Sequence, residues 1–430
     1  MNEQHPVAVI GAGPVGLAAA AHLLAHGLEP IVFEAGDSVG ASVRQWAHVR
    51  IFSPWAYDVD PVAAELLTQH GWSAPPYDQH PTGADLLARY LEPLAAVPAI
   101  AQRLHLRARV TAVAKLAVDK LKDAGREDAP FELRVQRNGR EERHLARAVI
   151  DASGTWTRPN PLGANGLPAI GERAHADRIA YGIPDVLGAD RARYAGRRAL
   201  VVGSGHSAFN AILDLVRLRE EEPTTQIVWA IRSRDAAPSF GGGADDQLPE
   251  RAALGQAVRT LVESGAIELV SGFHAQAVTT EDDGLVVASS EQGLVIDEVI
   301  AATGFRPDLT LLGELRLDLD DRVEAPRALA PLIDPNIHSC GTVPPHGVDE
   351  LSHPDTGVYV VGMKSYGRAP TFLLRTGYEQ VRSVVAALAG DWESARRVEL
   401  VLPETGVCIA TAGSSGCATT SDSELVAEAA

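Results

Sequence analysis

The chain has 430 residues, 46% apolar and 22% charged, which is enough for more than one hydrophobic core and too ordinary for extended disorder. It carries 38 Lys and Arg against 56 Asp and Glu, a net charge of −18, which argues against nucleic acid or an anionic membrane as a partner. Three cysteines, Cys340, Cys408 and Cys417, are too few and too scattered for a disulfide scaffold, so a reducing cytoplasm is the expected setting. The first six residues lack the basic stretch of a secretory signal. The apolar segment from Val15 to Leu28 is too short and interrupted for a membrane span.

Val7 to Ile10 reads as a buried strand, Pro14 to His26 as a helix closed by Gly27, and Pro30 to Glu34 as a second strand. The turn between the first strand and the helix is Gly11-Ala-Gly13-Pro14-Val-Gly16. A G-x-G-x-x-G turn in this context holds a dinucleotide pyrophosphate: the glycines let backbone approach the phosphates, and the helix start offers free N–H groups. Residues 40–100 read as helical with proline breaks. Three strands are expected next, Leu104 to Val113, Phe131 to Gln136 and His144 to Asp151, with a charged loop from Lys115 to Asp128. Pro159, Pro161, Gly163 and Gly166 mark a linker.

A second strand–turn–helix follows. Ala199 to Val202 leads into Gly203-Ser-Gly205-His206-Ser207-Ala208, a helix to about Leu218, and a strand from Gln226 to Ile231. Short strands, a helix and Ala301-Ala-Thr303-Gly304-Phe305 carry the chain to a strand at Val358 to Val361 and a helix from about Thr371 to Ala389. Ala410 to Ala430 is small, polar and acidic, and reads as a flexible tail. The fold expected is α/β with two dinucleotide-binding, Rossmann-like domains, the second inserted in the first. Its parts are residues 1–163 and 296–395 for one body, 164–295 for the other, and 396–430 for the tail.

The two turns differ downstream. Glu34 ends the strand after the first, where a carboxylate accepts hydrogen bonds from ribose hydroxyls and repels a 2′-phosphate. Arg232 ends the corresponding strand after the second, with Arg234 close by, and guanidinium groups there suit a 2′-phosphate. FAD is therefore expected at the first turn and NADPH at the second; the alternative for Arg232 is a solvated surface charge. His206 offers the second cofactor a contact through its backbone N–H.

With both turns and Ala301-Ala-Thr-Gly-Phe305 in view, the chain resembles the flavin-containing monooxygenases and their N-hydroxylating and Baeyer-Villiger relatives, over most of residues 5–395. Of that family's F-x-G-x-x-x-H-x-x-x-[WY] signature it keeps Gly171 and His175 and lacks both aromatics. It is further similar to flavoproteins encoded in bacterial arsenic-resistance operons, on Gly40-Ala-Ser-Val-Arg44-Gln-Trp46, Val49-Arg50-Ile-Phe-Ser53-Pro-Trp55, Gly362-Met-Lys-Ser-Tyr-Gly-Arg-Ala-Pro-Thr371 and Leu402-Pro-Glu-Thr-Gly-Val-Cys408. The resemblance implies cofactor contacts from Arg44, Trp46, Thr303, Gly304, Gly362 and Gln380. It implies an FAD- and NADPH-dependent monooxygenase in which a flavin hydroperoxide passes one oxygen atom from dioxygen to a soft nucleophile on a small molecule, trivalent arsenic by extension.

Where that family often has an asparagine beside the flavin, this chain has Ser53, with Arg50 as a substitute donor or, alternatively, a structural ion pair. Cys340, Cys408 and Cys417 could converge on one trivalent arsenic atom, or the tail pair could act as a dithiol; the alternative is one buried cysteine and two incidental thiols. His338, Cys340, His346 and His353 match no tetrahedral zinc motif, so no metal is expected. Two competing functions remain open: a thiol, disulfide or arsenical reductase using the tail cysteines, although no C-x-x-C occurs, and a non-catalytic flavin sensor.

Overall fold

The computed structural model describes residues 5–241, 248–281, 284–337, 343–369 and 372–400. The first elements are β1 (Val7–Ile10), α1 (Pro14–Ala25) and β2 (Pro30–Phe33). Pro14 sits at the first turn of α1, where its missing N–H has no intrahelical partner to lose, and Gly27 at φ +69° leads the chain out of it. After short helical pieces come β3 (Leu104–His105), β4 (Ala108–Lys115), β5 (Phe131–Arg137), β6 (Arg140–Ala146) and β7 (Ala148–Asp151).

Two of the three strands expected in this region are each divided between two sheets. Arg107, at φ +52°, breaks Leu104 to Val113, so that β3 runs parallel to β2 and β4 antiparallel to β5. His144 to Asp151 covers the end of β6, which pairs with β5, and all of β7, which pairs with β1. Burial explains the division. β7 is buried at every residue, as a strand covered on both faces must be, whereas β4 alternates between buried and more exposed positions at its start, as expected with one face solvated.

The second half contributes β8 (Ile179–Tyr181), β9 (Arg198–Val202), α2 (His206–Glu221), β10 (Gln226–Ala230), α3 (Pro249–Glu263) and β11 (Glu268–Val270). It continues with β12 (Ala277–Glu281), β13 (Gly284–Ala288), β14 (Gly293–Ile296), β15 (Glu298–Ala301), β16 (Leu319–Asp320), β17 (Ala325–Pro326), β18 (Val358–Val360) and α4 (Leu374–Leu388). Two five-stranded parallel sheets result, in the orders β18-β7-β1-β2-β3 and β11-β10-β9-β15-β8. β18 returns to the first sheet after the second is complete, so the second is an insertion in the first. The return expected at residue 296 falls later, because β15 pairs with β9 and β8 and is a strand of the second sheet.

Both sheets are layered alike. Val7 and Val9 of β1 pack with α1 and α4, while Ala8 and Ile10 pack with the β4–β6 meander. Ala199 and Val201 of β9 pack with α2, while Leu200 and Val202 pack with the β12–β14 meander. Alternate side chains of one strand thus bury into two cores. Among the described residues no helix is long and apolar enough to cross a membrane.

Candidate functional site

Each glycine-rich turn sits at the carboxyl end of its sheet where strand order reverses, the place where open α/β sheets bind ligands. Gly11 has φ +98°, and a Cβ there would lie 2.8 Å from the carbonyl oxygen of Ala152, just beyond β7. A Cβ on Gly16 would overlap the carbonyl oxygen of Gly11. Gly13 differs: its backbone is extended, at φ −81° and ψ −172°, and a Cβ would meet nothing within 4 Å. The second turn repeats the pattern. A Cβ on Gly203, at φ +136°, would overlap the carbonyl oxygen of Ala302 just beyond β15, whereas Gly205 opens on free space. No side chain caps α1 or α2. Each turn therefore presents an uncapped helix start, with its outermost glycine facing open space, as a pyrophosphate requires.

The second turn packs on the segment before Ser53: the Phe52 ring lies tilted against His206 with centroids 5.1 Å apart, and the Arg251 guanidinium lies 6.0 Å from the Phe52 ring. Glu34 is 9% exposed and accepts from the backbone N–H of Ala12 at 2.8 Å and of Gly36 at 2.7 Å. Its carboxylate is thereby fixed at the end of β2, beside the first turn.

The family model for pyridine nucleotide-disulphide oxidoreductases matches residues 8–329, three quarters of the chain, and so spans both turns. The chain belongs to the pyridine nucleotide-disulphide oxidoreductase family. It is an oxidoreductase by family. It is 28% identical over 212 residues to the indole-3-pyruvate monooxygenase YUCCA1 of rice, Oryza sativa subsp. japonica, a match covering 49% of this chain and 44% of that protein. The chain thus spans less than half the length of this curated relative. Among solved structures it is similar to the bacillithiol disulfide reductase Bdr (YpdA) of Bacillus cereus, with TM-score 0.66 and 22% identity over 90% of this chain and 99% of the other. It is also similar to FAD-bound DfoA, the cadaverine monooxygenase of desferrioxamine biosynthesis in Erwinia amylovora, with TM-score 0.64 and 13% identity over 93% of this chain and 98% of the other. Both likenesses show the fold.

The remaining sequence candidates of this oxidoreductase fall into distinct settings. Arg44 is half-exposed and paired with Glu92 at 2.9 Å. Trp46 packs on Gly83, where a Cβ would lie 2.8 Å from the indole. Thr303 and Asn160 exchange two hydrogen bonds, of 2.6 and 3.1 Å, which tie Gly304 to the linker. Gln380 is fully buried and committed internally: its Oε1 accepts from Gly362 N–H at 2.7 Å, and its Nε2 donates to His346 and Ser365 at 2.9 Å each. It holds Gly362, at φ +69°, in place. Arg232 is exposed and, among the described residues, has no ion-pair partner, whereas Arg234 lies 3.8 Å from Glu291 on the surface.

Ser53 is 4% exposed and donates its proton to Asp58 at 2.7 Å, so its O–H is committed within the protein. Arg50 is exposed and forms no ion pair among the described residues. Gly171 and His175 serve packing: a Cβ on Gly171 would overlap the carbonyl oxygen of Val278, and His175 bridges Gly171 and Thr280 at 2.9 and 2.8 Å. His346 bonds Gln380, and His353 accepts from the Asp318 N–H at 3.2 Å. Among the described residues no group of three or more His, Cys, Asp or Glu is placed to hold a metal ion. His338, Cys340, Cys408 and Cys417 lie outside the described residues.

Two groups beside the site were not singled out from the sequence. Lys364, 1% exposed, donates to Asp151 at 2.6 Å and to Ser153 at 2.9 Å, directly behind Gly11. Asp151 is fully buried and also accepts from the N–H and hydroxyl of Ser153. Asp58 is fully buried, with Oδ2 unpartnered, and burial pushes its carboxyl up to about 7, only partly offset by the Ser53 hydrogen bond. A charged residue where a strand should be buried through to its end, as at Asp151, was the one available signal; its partner lies 213 positions away.

Proposed function

We propose that this oxidoreductase is an NADPH-dependent FAD monooxygenase that transfers one oxygen atom from dioxygen to a soft nucleophilic heteroatom of a small molecule. The observation that carries the reading is the pair of uncapped helix starts, each with its outermost glycine, Gly13 or Gly205, opening on free space at the carboxyl end of a parallel sheet. FAD would be held by Gly11, Gly13, Pro14, Gly16 and Glu34 on the sheet of β18, β7, β1, β2 and β3, with Arg44, Trp46, Thr303, Gly304 and Gly362 around it and Gln380 holding Gly362 in place. NADPH would be held by Gly203, Gly205, His206 and Ser207, with Arg232 and Arg234 at the 2′-phosphate, on the sheet of β11, β10, β9, β15 and β8. Bound FAD supplies the redox chemistry, taking hydride from NADPH and activating dioxygen.

The protein's own part is to bind, orient and exclude water. Glu34 accepts ribose hydroxyls through lone pairs that its two backbone donors leave free. Lys364 neutralises Asp151, so that the crevice behind Gly11 carries no net charge against a pyrophosphate. Oxygen transfer to a soft nucleophile needs no dyad of acid and base side chains, which agrees with the commitment of Ser53 to Asp58. Among soft nucleophiles trivalent arsenic is the one the sequence resemblance favours.

The test is NADPH oxidation by the purified holoenzyme with and without dioxygen, with product analysis. Oxygen-dependent turnover that converts a trivalent arsenical to its pentavalent oxide, or a thioether to its sulfoxide, supports the reading. Anaerobic turnover that is lost in Cys408→Ser/Cys417→Ser would replace it with a disulfide or arsenical reductase, and flavin that NADPH never bleaches would leave a sensor.

A further inference from the structure

We propose that Arg158, Arg306 and Arg368 form a binding site for an oxyanion, separate from both dinucleotide turns. Arg158 and Arg306 lie on the two chain crossings between the sheets. These crossings are joined by a bridge between Pro159 and Phe305 and by the Arg306 N–H donating to the Arg158 carbonyl at 3.0 Å. Arg368 follows the short helix Gly362–Tyr366, just beyond β18, and its N–H donates to the Val323 carbonyl at 2.7 Å. These anchors set the three residues near one another: the Arg306 and Arg368 guanidinium groups face each other over Gly166, and Arg158 Nη1 donates to the Pro307 carbonyl at 3.3 Å, next to Arg306 in the chain.

The centre of the site is Gly166. A Cβ built there lies 3.6 Å from Arg306 Nη2 and 3.6 Å from Arg368 Nη2, with no other heavy atom within 4 Å. Apart from the chain next to Gly166, only guanidinium nitrogens stand close to this point, so both Nη2 atoms face the same open side of the Gly166 backbone. One oxyanion seated beyond that point can accept a charge-assisted bond of about 2.8 Å from each of them.

The charges around this space do not cancel. Arg306 is held by Asn160 Oδ1 at 2.8 Å and the Gly166 carbonyl at 3.5 Å, and it has no carboxylate within 4 Å among the described residues. Arg158 faces Asp308 at 3.7 Å and Arg368 faces Glu324 at 3.8 Å, both beyond hydrogen-bond range. Asp308 already accepts from the Thr310 N–H and hydroxyl. Two carboxylates thus oppose three guanidinium groups. Burial, and then the positive charge of Arg368, hold the Arg306 guanidinium below its usual range.

The cluster also sits next to the candidate catalytic crevice. Phe305 stacks on Trp156 with centroids 4.5 Å apart, and the Trp156 indole donates to Gln45 at 2.9 Å, on the segment that carries Arg44 and Trp46. The oxyanion can be inorganic or the anionic group of a small molecule, and the site reads its charge and oxygen geometry in either case. Arg232 and Arg234, at the end of β10, are the groups assigned to the cofactor phosphate.

The test titrates the holoenzyme, saturated with NADP⁺, with inorganic phosphate at constant ionic strength, read by calorimetry. Saturation with NADP⁺ removes the cofactor's own phosphate sites from the titration, and no turnover is involved, so the outcome is independent of the oxygenation chemistry. Wild type should bind phosphate at one site. Arg306→Met/Arg368→Met should weaken binding at least roughly tenfold while retaining flavin, since a lost charge-assisted bond is worth about that factor. Gly166→Asn should do the same with every guanidinium in place, because Asn tolerates the left-handed backbone at φ +84° and fills the open space. Arg232→Ala/Arg234→Ala should bind phosphate as wild type does. No binding by wild type, unchanged affinity in either of the first two variants, or loss in the Arg232/Arg234 variant overturns the proposal.

Discussion

A single methyl group placed at three glycines separates cofactor binding from folding. Gly13 and Gly205 have extended backbones, at φ −81° and −97°, that any residue adopts, and a Cβ at either meets nothing within 4 Å. Alanine is therefore compatible with the fold at both, and can add up to about 1 kcal/mol by restricting the unfolded chain. The methyl does occupy the space through which a pyrophosphate approaches the helix start. Losing two charge-assisted hydrogen bonds at roughly 1.5–3 kcal/mol each lowers affinity by at least about a hundredfold. Gly13→Ala should thus emerge without flavin, while its flavin-free form melts at or above the temperature of flavin-free wild type. Gly205→Ala should keep its flavin and show a KM for NADPH raised by a similar factor. At Gly16 the methyl would overlap the Gly11 carbonyl oxygen, so α1 must shift, and Gly16→Ala should be destabilised without any cofactor by roughly 1–3 kcal/mol. The assays are flavin absorbance after dialysis, thermal unfolding and NADPH kinetics. Wild-type flavin affinity in Gly13→Ala would refute the geometry argued for the first turn.

Asp58 provides a pH test. Its folded carboxyl keeps its proton up to about 7, against 3.8 for the unfolded chain, so between those values the folded state binds more protons. Its contribution to stability is therefore complete below pH ~4 and declines by roughly 4 kcal/mol as pH rises to about 7. Asp58→Asn should remove that slope and melt above wild type at pH 8; parallel pH profiles for the two proteins would contradict this. Lys364→Met strands the Asp151 carboxylate in a fully buried position and should destabilise by roughly 3–5 kcal/mol in denaturant melts. Adding Asp151→Asn to that variant should restore much of the loss, and no recovery would mean that the pair is not the cause. Arg232→Ala/Arg234→Ala should raise the KM for NADPH far more than that for NADH, and equal changes in steady-state kinetics would remove the 2′-phosphate assignment.

The amino-acid sequence alone determined what is written in contiguous residues. Both glycine-rich turns, the strands and helices around them and Glu34 at the end of its strand were all legible, because a phosphate turn needs residues only a few positions apart. The insertion of one nucleotide-binding body in the other was legible too, since the strand pattern returns at Val358. What could not be read was the partner of any residue distant along the chain. Leu104 to Val113 and His144 to Asp151 each look like one strand, because hydrophobic pattern reports burial and does not report which sheet does the burying. Ser53 aligns with a position expected to serve the flavin, yet its proton goes to Asp58, five residues on. Gln380 looks like a cofactor contact and is instead saturated by Gly362, His346 and Ser365. The Lys364–Asp151 pair and the guanidinium groups around Gly166 exist only once the sheets have assembled. Local backbone geometry is set by neighbours in sequence, whereas the fate of a charge is set by whatever packing brings against it.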